Sequence, residues 1–278
     1  MRGAGGYDWL AIWRDMYDRE RAQAEELDRL PRPADCWEGQ AARLATAWQR
    51  NEQPDSLMRF LLPHLRPDDT LLDIGAGTGR YARYLASQVR QVIALEPSAA
   101  MRAQLGTALA AAPLPIEVLS GAWPETPVRP VTVAFASHVL YGVREAGPFV
   151  QAMDAIAERA CFLALAVQHP SAFISPFWER FYGEPRLPLP GALECLNLLH
   201  QLGIPAQMAL VPRPGRVSFT SRDEALADLR WRLRMAPTPE NDAAILTAID
   251  ELMEYDAIGQ LVPQNQVADT AMIWWERV

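Results

Sequence analysis

Leu71-Leu72-Asp73-Ile74-Gly75-Ala76-Gly77-Thr78-Gly79-Arg80 is the stretch that decides the fold. A short apolar run reaches an acidic residue, passes through three glycines at alternate positions and enters a helical pattern. Without a Cβ, glycine lets the backbone turn tightly and approach a ligand closely. The first N–H groups of the helix behind such a turn point at whatever occupies it. Two other glycine loops do not fit. The dinucleotide fingerprint Gly-x-Gly-x-x-Gly needs a third glycine where Arg80 stands, counting from Gly75, or where Ala82 stands, counting from Gly77. The phosphate-binding P-loop needs a lysine, and all 26 basic residues of this chain are arginine.

The same pattern continues downstream. Val92–Leu95, Ile116–Leu119, Val131–Phe135 and Cys161–Val167 are short apolar runs, interspersed with helical patterns over 80–90, 98–111 and 144–159. Strands of this kind alternating with helices predict βαβ units and a parallel sheet covered on both faces. Right-handed crossovers then give a doubly wound α/β sandwich. Residues 168–188, with four prolines and five aromatics, read as a surface loop. A helix over 190–202, a strand over 207–211, helical stretches over 221–235 and 239–256 and an apolar strand over 270–275 follow. Upstream, Trp9, Leu10, Trp13, Met16 and Tyr17 recur at helical spacing, marking an amphipathic helix over 7–30. Helical patterns over 38–50 and 54–65 come next, with Asp55 placed to cap the second. The expected organisation is an N-terminal helical cap over 1–66, an α/β core over 67–220, a helical insertion or lid over 221–259, and the final strand of the core over 260–278.

Glu96 ends the second strand, where a carboxylate can accept hydrogen bonds from both hydroxyls of a ribose. Together, Asp73-x-Gly75-x-Gly77-x-Gly79 and Glu96 resemble the cofactor site of class I, Rossmann-like S-adenosylmethionine-dependent methyltransferases of the small-molecule type. The resemblance covers roughly 68–168. It implies a mostly parallel seven-stranded sheet whose last strand, about 269–276, runs antiparallel, with S-adenosylmethionine as cofactor and S-adenosylhomocysteine as product. It carries cofactor-binding roles onto Asp73, Gly75, Ala76, Gly77, Gly79, Glu96 and Pro97, and lays Met101 against the adenine. At Gly121-Ala122-Trp123 the chain departs from the family, because Ala122 replaces the usual acidic residue. Adenine is then left to backbone N–H groups and apolar contact, with Trp123 available to stack on the purine.

Ser137-His138-Val139-Leu140-Tyr141 resembles the stretch after the fourth strand in small-molecule members. It implies Ser137 at the cofactor and His138 and Tyr141 at the substrate, with His138 the candidate general base. The other role open to His138 is ordering the loop or touching the cofactor. His169 follows the fifth strand and can face the same crevice, and Trp37, a further candidate substrate contact, lies where members lay an N-terminal helix over the cofactor. Aromatics of the cap (Trp9, Trp13, Tyr17, Trp48) and of the later segments (Phe173, Phe177, Trp178, Phe181, Tyr182, Trp231, Tyr255) supply walls attractive to a sulfonium. Arg213, Arg216 and Arg222 offer a carboxylate-binding alternative to solvated charge.

The 34 acidic residues outnumber the 26 basic ones, giving a formal net charge of −8. That field repels phosphate backbones and anionic lipid, so the expected partner is a small molecule and neither nucleic acid nor membrane. The Asn/Asp-Pro-Pro-Tyr signature of members that methylate nucleic-acid amino groups is absent, and an RNA acceptor is opposed by the charge. Cys36, Cys161 and Cys195 lie far apart with no histidine cluster, so neither disulfide nor metal is expected. Met1–Asp8 has no apolar leader core and no stretch approaches about 18 uncharged apolar residues, so a cytoplasmic location is expected. The expected activity is methyl transfer to an O, N or C nucleophile of a small molecule. The alternative is a catalytically inactive protein of the same fold that binds S-adenosylmethionine or its product.

Overall fold

The computed structural model describes residues 6–27, 35, 37–38, 40–49, 54–167, 172–212, 217–264 and 269–277. The strands are β1 (Thr70–Ile74), β2 (Gln91–Glu96), β3 (Ile116–Ser120), β4 (Val131–Ser137), β5 (Ala157–Ala166), β6 (Gln207–Pro212), β7 (Met253–Tyr255), β8 (Leu261–Pro263) and β9 (Asp269–Glu276). Seven of them make one sheet in the order β3-β2-β1-β4-β5-β9-β6, and β7 and β8 pair as a separate hairpin. β9 runs antiparallel to both of its neighbours, while the other pairings in the large sheet are parallel. The doubly wound, seven-stranded expectation holds, with its antiparallel last strand.

Strand order reverses at β1, which lies between β2 and β4. The chain therefore leaves adjacent carboxyl ends toward opposite faces and opens a crevice there. Side chains along β1 alternate between two cores. Leu72 and Ile74 join Ile93, Leu95, Phe149 and Trp275, whereas Leu71 joins Val92, Phe135, Phe162 and Met272. A strand buried on both faces needs this continuous apolar run, which is why the sequence shows no polar alternation there.

The helices are α1 (Trp9–Leu27), α2 (Ala41–Gln49), α3 (Ser56–Leu61), α4 (Arg80–Leu85), α5 (Ala99–Ala111), α6 (Ala146–Ile156), α7 (Ser175–Tyr182), α8 (Ala192–Gln201), α9 (Arg222–Leu233) and α10 (Pro239–Leu252). Asp55 caps α3, its carboxylate accepting from Met58 N at 2.9 Å.

Four expectations are corrected. The described part of the supposed loop over 168–188 contains α7, and Phe173, Ile174, Phe177 and Trp178 are buried against Leu229, Leu233, Ile245 and Ile249 in a third core. Pro176 sits in the first turn of α7, where a missing N–H is harmless. Gly183 ends that helix with φ 80°, so these breakers bound a helix instead of preventing one. The helix expected over 144–159 stops at Ile156, because Ala157 already pairs with Val131 and the chain must extend to meet β4. The helix expected over 80–90 stops at Leu85, and the backbone N–H of Arg90 is taken by Asp69 O at 3.0 Å to start β2. Finally, the β7–β8 hairpin spans 253–263, so the boundary expected at 259/260 falls inside the insertion and the last core strand begins only at Asp269.

Candidate active site

The glycine loop closes the crevice at the end of β1. Gly75 N and Ala76 N donate to Leu95 O at 2.8 and 3.1 Å, which ties the loop to β2. Gly75 has φ 71°, and a Cβ there would lie 2.4 Å from Val139 Cγ2 on the loop after β4. Gly77 differs: φ is 58°, yet a Cβ would meet nothing within 4 Å. The first glycine therefore lets two loops pack, and the second leaves the crevice open over bare main chain. Gly79 precedes α4 as its N-cap, with φ 84°.

Glu96 is buried at the end of β2. Its Oε2 accepts from Gly77 N at 2.8 Å and its Oε1 accepts from Ser98 N at 2.8 Å. Each oxygen retains a lone pair for a further donor. Asp73 is buried beside it, and among the described residues its Oδ2 has no hydrogen-bond partner. Burial, then the neighbouring charge of Glu96, pushes the Asp73 carboxyl up to about 7. Burial also raises Glu96, opposed by the N–H groups of Ser98 and Gly77. Two carboxylates packed together out of water make a site whose electrostatics call for a cation.

Pro97 is exposed and Met101 is buried in the first turn of α5, its N–H donating to Ser98 Oγ at 3.1 Å. Ser98 Oγ donates in turn to Asp35 Oδ2 at 2.7 Å. That hydrogen bond, ahead of the opposing effect of burial, holds the Asp35 carboxyl below its ordinary range. Sequence reading missed Asp35 and Ser98. The helix-capping position of Ser98 ahead of α5 is a legible signal, but Asp35 has none, because it reaches α5 from the distant cap. Gly121 N donates to Glu96 O at 3.4 Å, bringing the loop after β3 to the same edge, with Ala122 exposed. The Trp123 indole donates to Phe149 O at 3.1 Å and packs against the core, so its ring is anchored to α6.

Across the crevice, β4 ends at half-buried Ser137 and half-buried His138 follows. His138 has φ 59°, a conformation that non-glycine residues avoid and that clusters at functional sites. Its N–H donates to Ala164 O at 2.8 Å, and its Nδ1 lies 3.2 Å from the Tyr141 hydroxyl. Tyr141 is buried, and its hydroxyl also accepts from Ala166 N. The Tyr141 hydroxyl thereby links the His138 ring to β5.

The other sequence candidates scatter. The Trp37 ring lies 6.0 Å from that of Trp231 in α9, joining cap to insertion. The Trp13 indole donates to Val143 O at 2.8 Å. Arg222 pairs with Asp250 at 2.7 Å, and Tyr255 is exposed on β7. The Trp48 side chain, Cys36, His169, Arg213 and Arg216 lie outside the described residues.

A family model described as a methyltransferase domain matches residues 72–163, the span that carries the glycine loop, Glu96 and His138. Residues 72–163 are a methyltransferase domain. Among solved structures, the methyltransferase is similar to the YcgJ protein of Bacillus subtilis, at 12% identity over 79% of this chain and 97% of that one, with a TM-score of 0.54. A candidate methyltransferase from Bacillus halodurans C-125 shows 12% identity over 79% of this chain and 96% of that one, with a TM-score of 0.53. Magnesium protoporphyrin IX methyltransferase from Synechocystis PCC 6803, with bound S-adenosylhomocysteine, shows 11% identity over 98% of this chain and 100% of that one, with a TM-score of 0.49. At these identities the first two likenesses establish the fold. No curated protein matches the sequence. The resemblance to class I methyltransferases holds over the matched residues. Among the described residues no helix is long and apolar enough to cross a membrane, and no group of three His, Cys, Asp or Glu can hold a metal ion.

Proposed function

We propose that the methyltransferase acts on an O, N or C nucleophile of a small molecule bound above the carboxyl ends of β4 and β5, and that Asp73, the glycine loop and Glu96 hold its cofactor. The observation that carries the cofactor assignment is the buried pair Asp73 and Glu96 beneath the open backbone of Gly77. S-adenosylmethionine brings an ammonium and a sulfonium to that pair, whereas a dinucleotide would bring a pyrophosphate into two carboxylates. Asp73 Oδ2 receives the ammonium, Glu96 keeps its loop contacts while accepting from the ribose hydroxyls, and Met101 and Gly121-Ala122 border the adenine, with Ala76, Gly79, Pro97, Trp123 and Ser137 around them.

Bound S-adenosylmethionine supplies a methyl group already activated on sulfur. The chain has to align the acceptor, exclude water and take a proton if the nucleophile carries one. Alignment alone is worth roughly 7–11 kcal/mol in the best cases. His138, held in place by Tyr141, is the side chain positioned to take the proton. The net charge of −8 supports a small-molecule acceptor over a nucleic acid. Buried, free Cys161 and Cys195 suit the reducing cytoplasm.

Calorimetry tests the cofactor site, and transfer of labelled methyl from S-adenosylmethionine into fractionated cell metabolites tests the acceptor class. No heat of binding by the wild type overturns the cofactor assignment. Label appearing in nucleic acid and in no small-molecule fraction overturns the acceptor class. Glu96→Gln keeps one acceptor oxygen and the shape of the side chain, so cofactor affinity is expected to fall about tenfold, the loss of one charge-assisted hydrogen bond.

The Asp73 carboxyl gives a pH signature with a definite sign. Its pKa in the folded, ligand-free protein is about 7 against an ordinary 3.8. Between those values the folded chain holds a proton that the unfolded chain has lost, so stability falls as pH rises through that window and stays lower above it. The wild-type melting temperature should fall more steeply there than that of Asp73→Asn. Affinity for S-adenosylmethionine should rise over the same window, because ionised Asp73 pairs with the ammonium, and should stay flat in the variant. Parallel profiles for the two proteins would contradict this.

A further inference from the structure

The turn from β2 into α5, Glu96-Pro97-Ser98, carries the carboxylate assigned to the ribose. Neighbouring groups of the core restrain its backbone. Arg102 Nη1 donates to Glu96 O and to Pro97 O, each at 2.7 Å, and Gly121 N donates to Glu96 O at 3.4 Å. The carboxylate is held on two sides, Oε2 by Gly77 N and Oε1 by Ser98 N. Gly77 sits in a loop already tied to β2 through Gly75 N and Ala76 N. The Oε1 side depends on where Ser98 is kept.

Ser98 is the N-cap of α5, and a hydroxyl has one hydrogen to give and two lone pairs to accept with. Its oxygen accepts from Met101 N at 3.1 Å, and its hydrogen goes to Asp35 Oδ2 at 2.7 Å. The same Asp35 oxygen accepts from Ala100 N at 3.3 Å. Two N–H groups that the helix itself leaves without a partner are thus covered, one by Ser98 and one by Asp35. Asp35 belongs to the N-terminal cap, ahead of α2, and α2 packs against α5. Its own carboxylate is oriented by Trp37 N, which donates to Oδ1 at 3.0 Å. A continuous path therefore runs from the cap through Asp35 and Ser98 to Glu96 Oε1.

Charge alone argues against this placement. Burial does most to raise the Glu96 carboxyl, and the negative charge of Asp35 adds to the rise. The hydrogen bonds to Ser98 and Ala100, at the positive end of α5, offset that repulsion. A purely electrostatic Asp35 would weaken the ribose site, whereas an Asp35 that fixes the turn would strengthen it.

We propose that Asp35 is a positioning residue, which through Ser98 fixes the Glu96 carboxylate for the ribose hydroxyls, so that the cap completes a site whose other parts lie in the core; this rests on the assignment of Glu96 to the cofactor's ribose proposed above. A carboxylate that accepts from two fixed N–H groups keeps its remaining lone pairs aimed one way. With Ser98 loosened, Glu96 keeps its charge and loses its aim, and hydrogen bonds weaken steeply as their angle closes.

The test titrates the full chain by calorimetry with S-adenosylhomocysteine and with its 2′-deoxy analogue. Wild type should bind the ribose form about tenfold more tightly, the difference made by one charge-assisted hydrogen bond. In Asp35→Ala that ratio should fall to within about threefold, with S-adenosylhomocysteine weakened and the analogue little changed. Asp35→Asn keeps an oxygen for the Ser98 hydroxyl and should restore most of the ratio. Thr238→Ala removes a helix cap of the same kind from α10, where Thr238 Oγ1 accepts from Asn241 N at 3.2 Å, and should leave the ratio at the wild-type value. An unchanged ratio in Asp35→Ala, a ratio in Asp35→Asn as low as in Asp35→Ala, or an equal fall in Thr238→Ala each overturns the assignment. A wild type that binds neither probe, or binds both equally, removes instead the ribose role of Glu96, and Asp35 then has nothing to position.

Discussion

Gly77→Arg should abolish cofactor binding while the protein remains folded: calorimetry is expected to show affinity for S-adenosylmethionine at least about 100-fold weaker than wild type, a loss of roughly 2.7 kcal/mol or more. The size of the effect follows from where the new side chain goes. A Cβ at Gly77 meets nothing within 4 Å, so the arginine enters the open crevice and does not collide with the core. Its guanidinium arrives beside the buried carboxylates of Asp73 and Glu96 and competes for them with the cofactor's ammonium. The backbone there has φ 58°, which costs a residue with a side chain about 1–2 kcal/mol. The new ion pairs offset part of that, so the melting temperature of the ligand-free protein should change little. Gly75→Ala should behave in the opposite way, because its Cβ would lie 2.4 Å from Val139 Cγ2 and the loss is one of packing. Near-wild-type cofactor affinity in Gly77→Arg would show that the cofactor does not lie over this loop.

Asp228→Ala should lower stability by about 3 kcal/mol, because it removes the buried acceptor of two charge-assisted hydrogen bonds from part-buried arginines. The Asp228 side chain is fully buried and accepts from Arg43 Nη2 at 2.5 Å and from Arg232 Nε at 2.6 Å. Arg43 comes from α2 and Asp228 from α9, so this carboxylate fastens the N-terminal cap to the insertion, next to the Trp37–Trp231 contact. For a domain of this size the loss corresponds to a melting-temperature drop of roughly 6–12 °C. Asp228→Asn keeps the volume and one acceptor oxygen and should fall less. A melting temperature for Asp228→Ala within about 2 °C of wild type would mean that cap and insertion are not held together through this residue.

Much of the site was legible because its signals are local. The apolar run before Asp73 reads as a strand buried on both faces, and Gly75 and Gly77 read as turn glycines because only their backbones reach such conformations without strain. Glu96 was legible for a similar reason, ending an apolar run beside a glycine loop. Its second duty, holding Gly77 N and Ser98 N, was not legible, since hydrogen bonds between segments leave no periodic trace. The aromatics of α7 were misread because four prolines suggest a loop, and their burial depends on α9 and α10, which fold against them from some 50 residues away.

What the chain of residues determined by itself was the doubly wound sheet and the place of the glycine loop, because periodicity and turn chemistry act between near neighbours. Tertiary structure alone decided which ionisable groups meet. Asp73 was drawn beside Glu96 on a neighbouring strand, Asp35 to the start of α5, Asp228 between two arginines, and Glu20 against Arg186. The physical reason is that the strength of a charge depends on burial and on partners distant in sequence, and both exist only once the chain has folded.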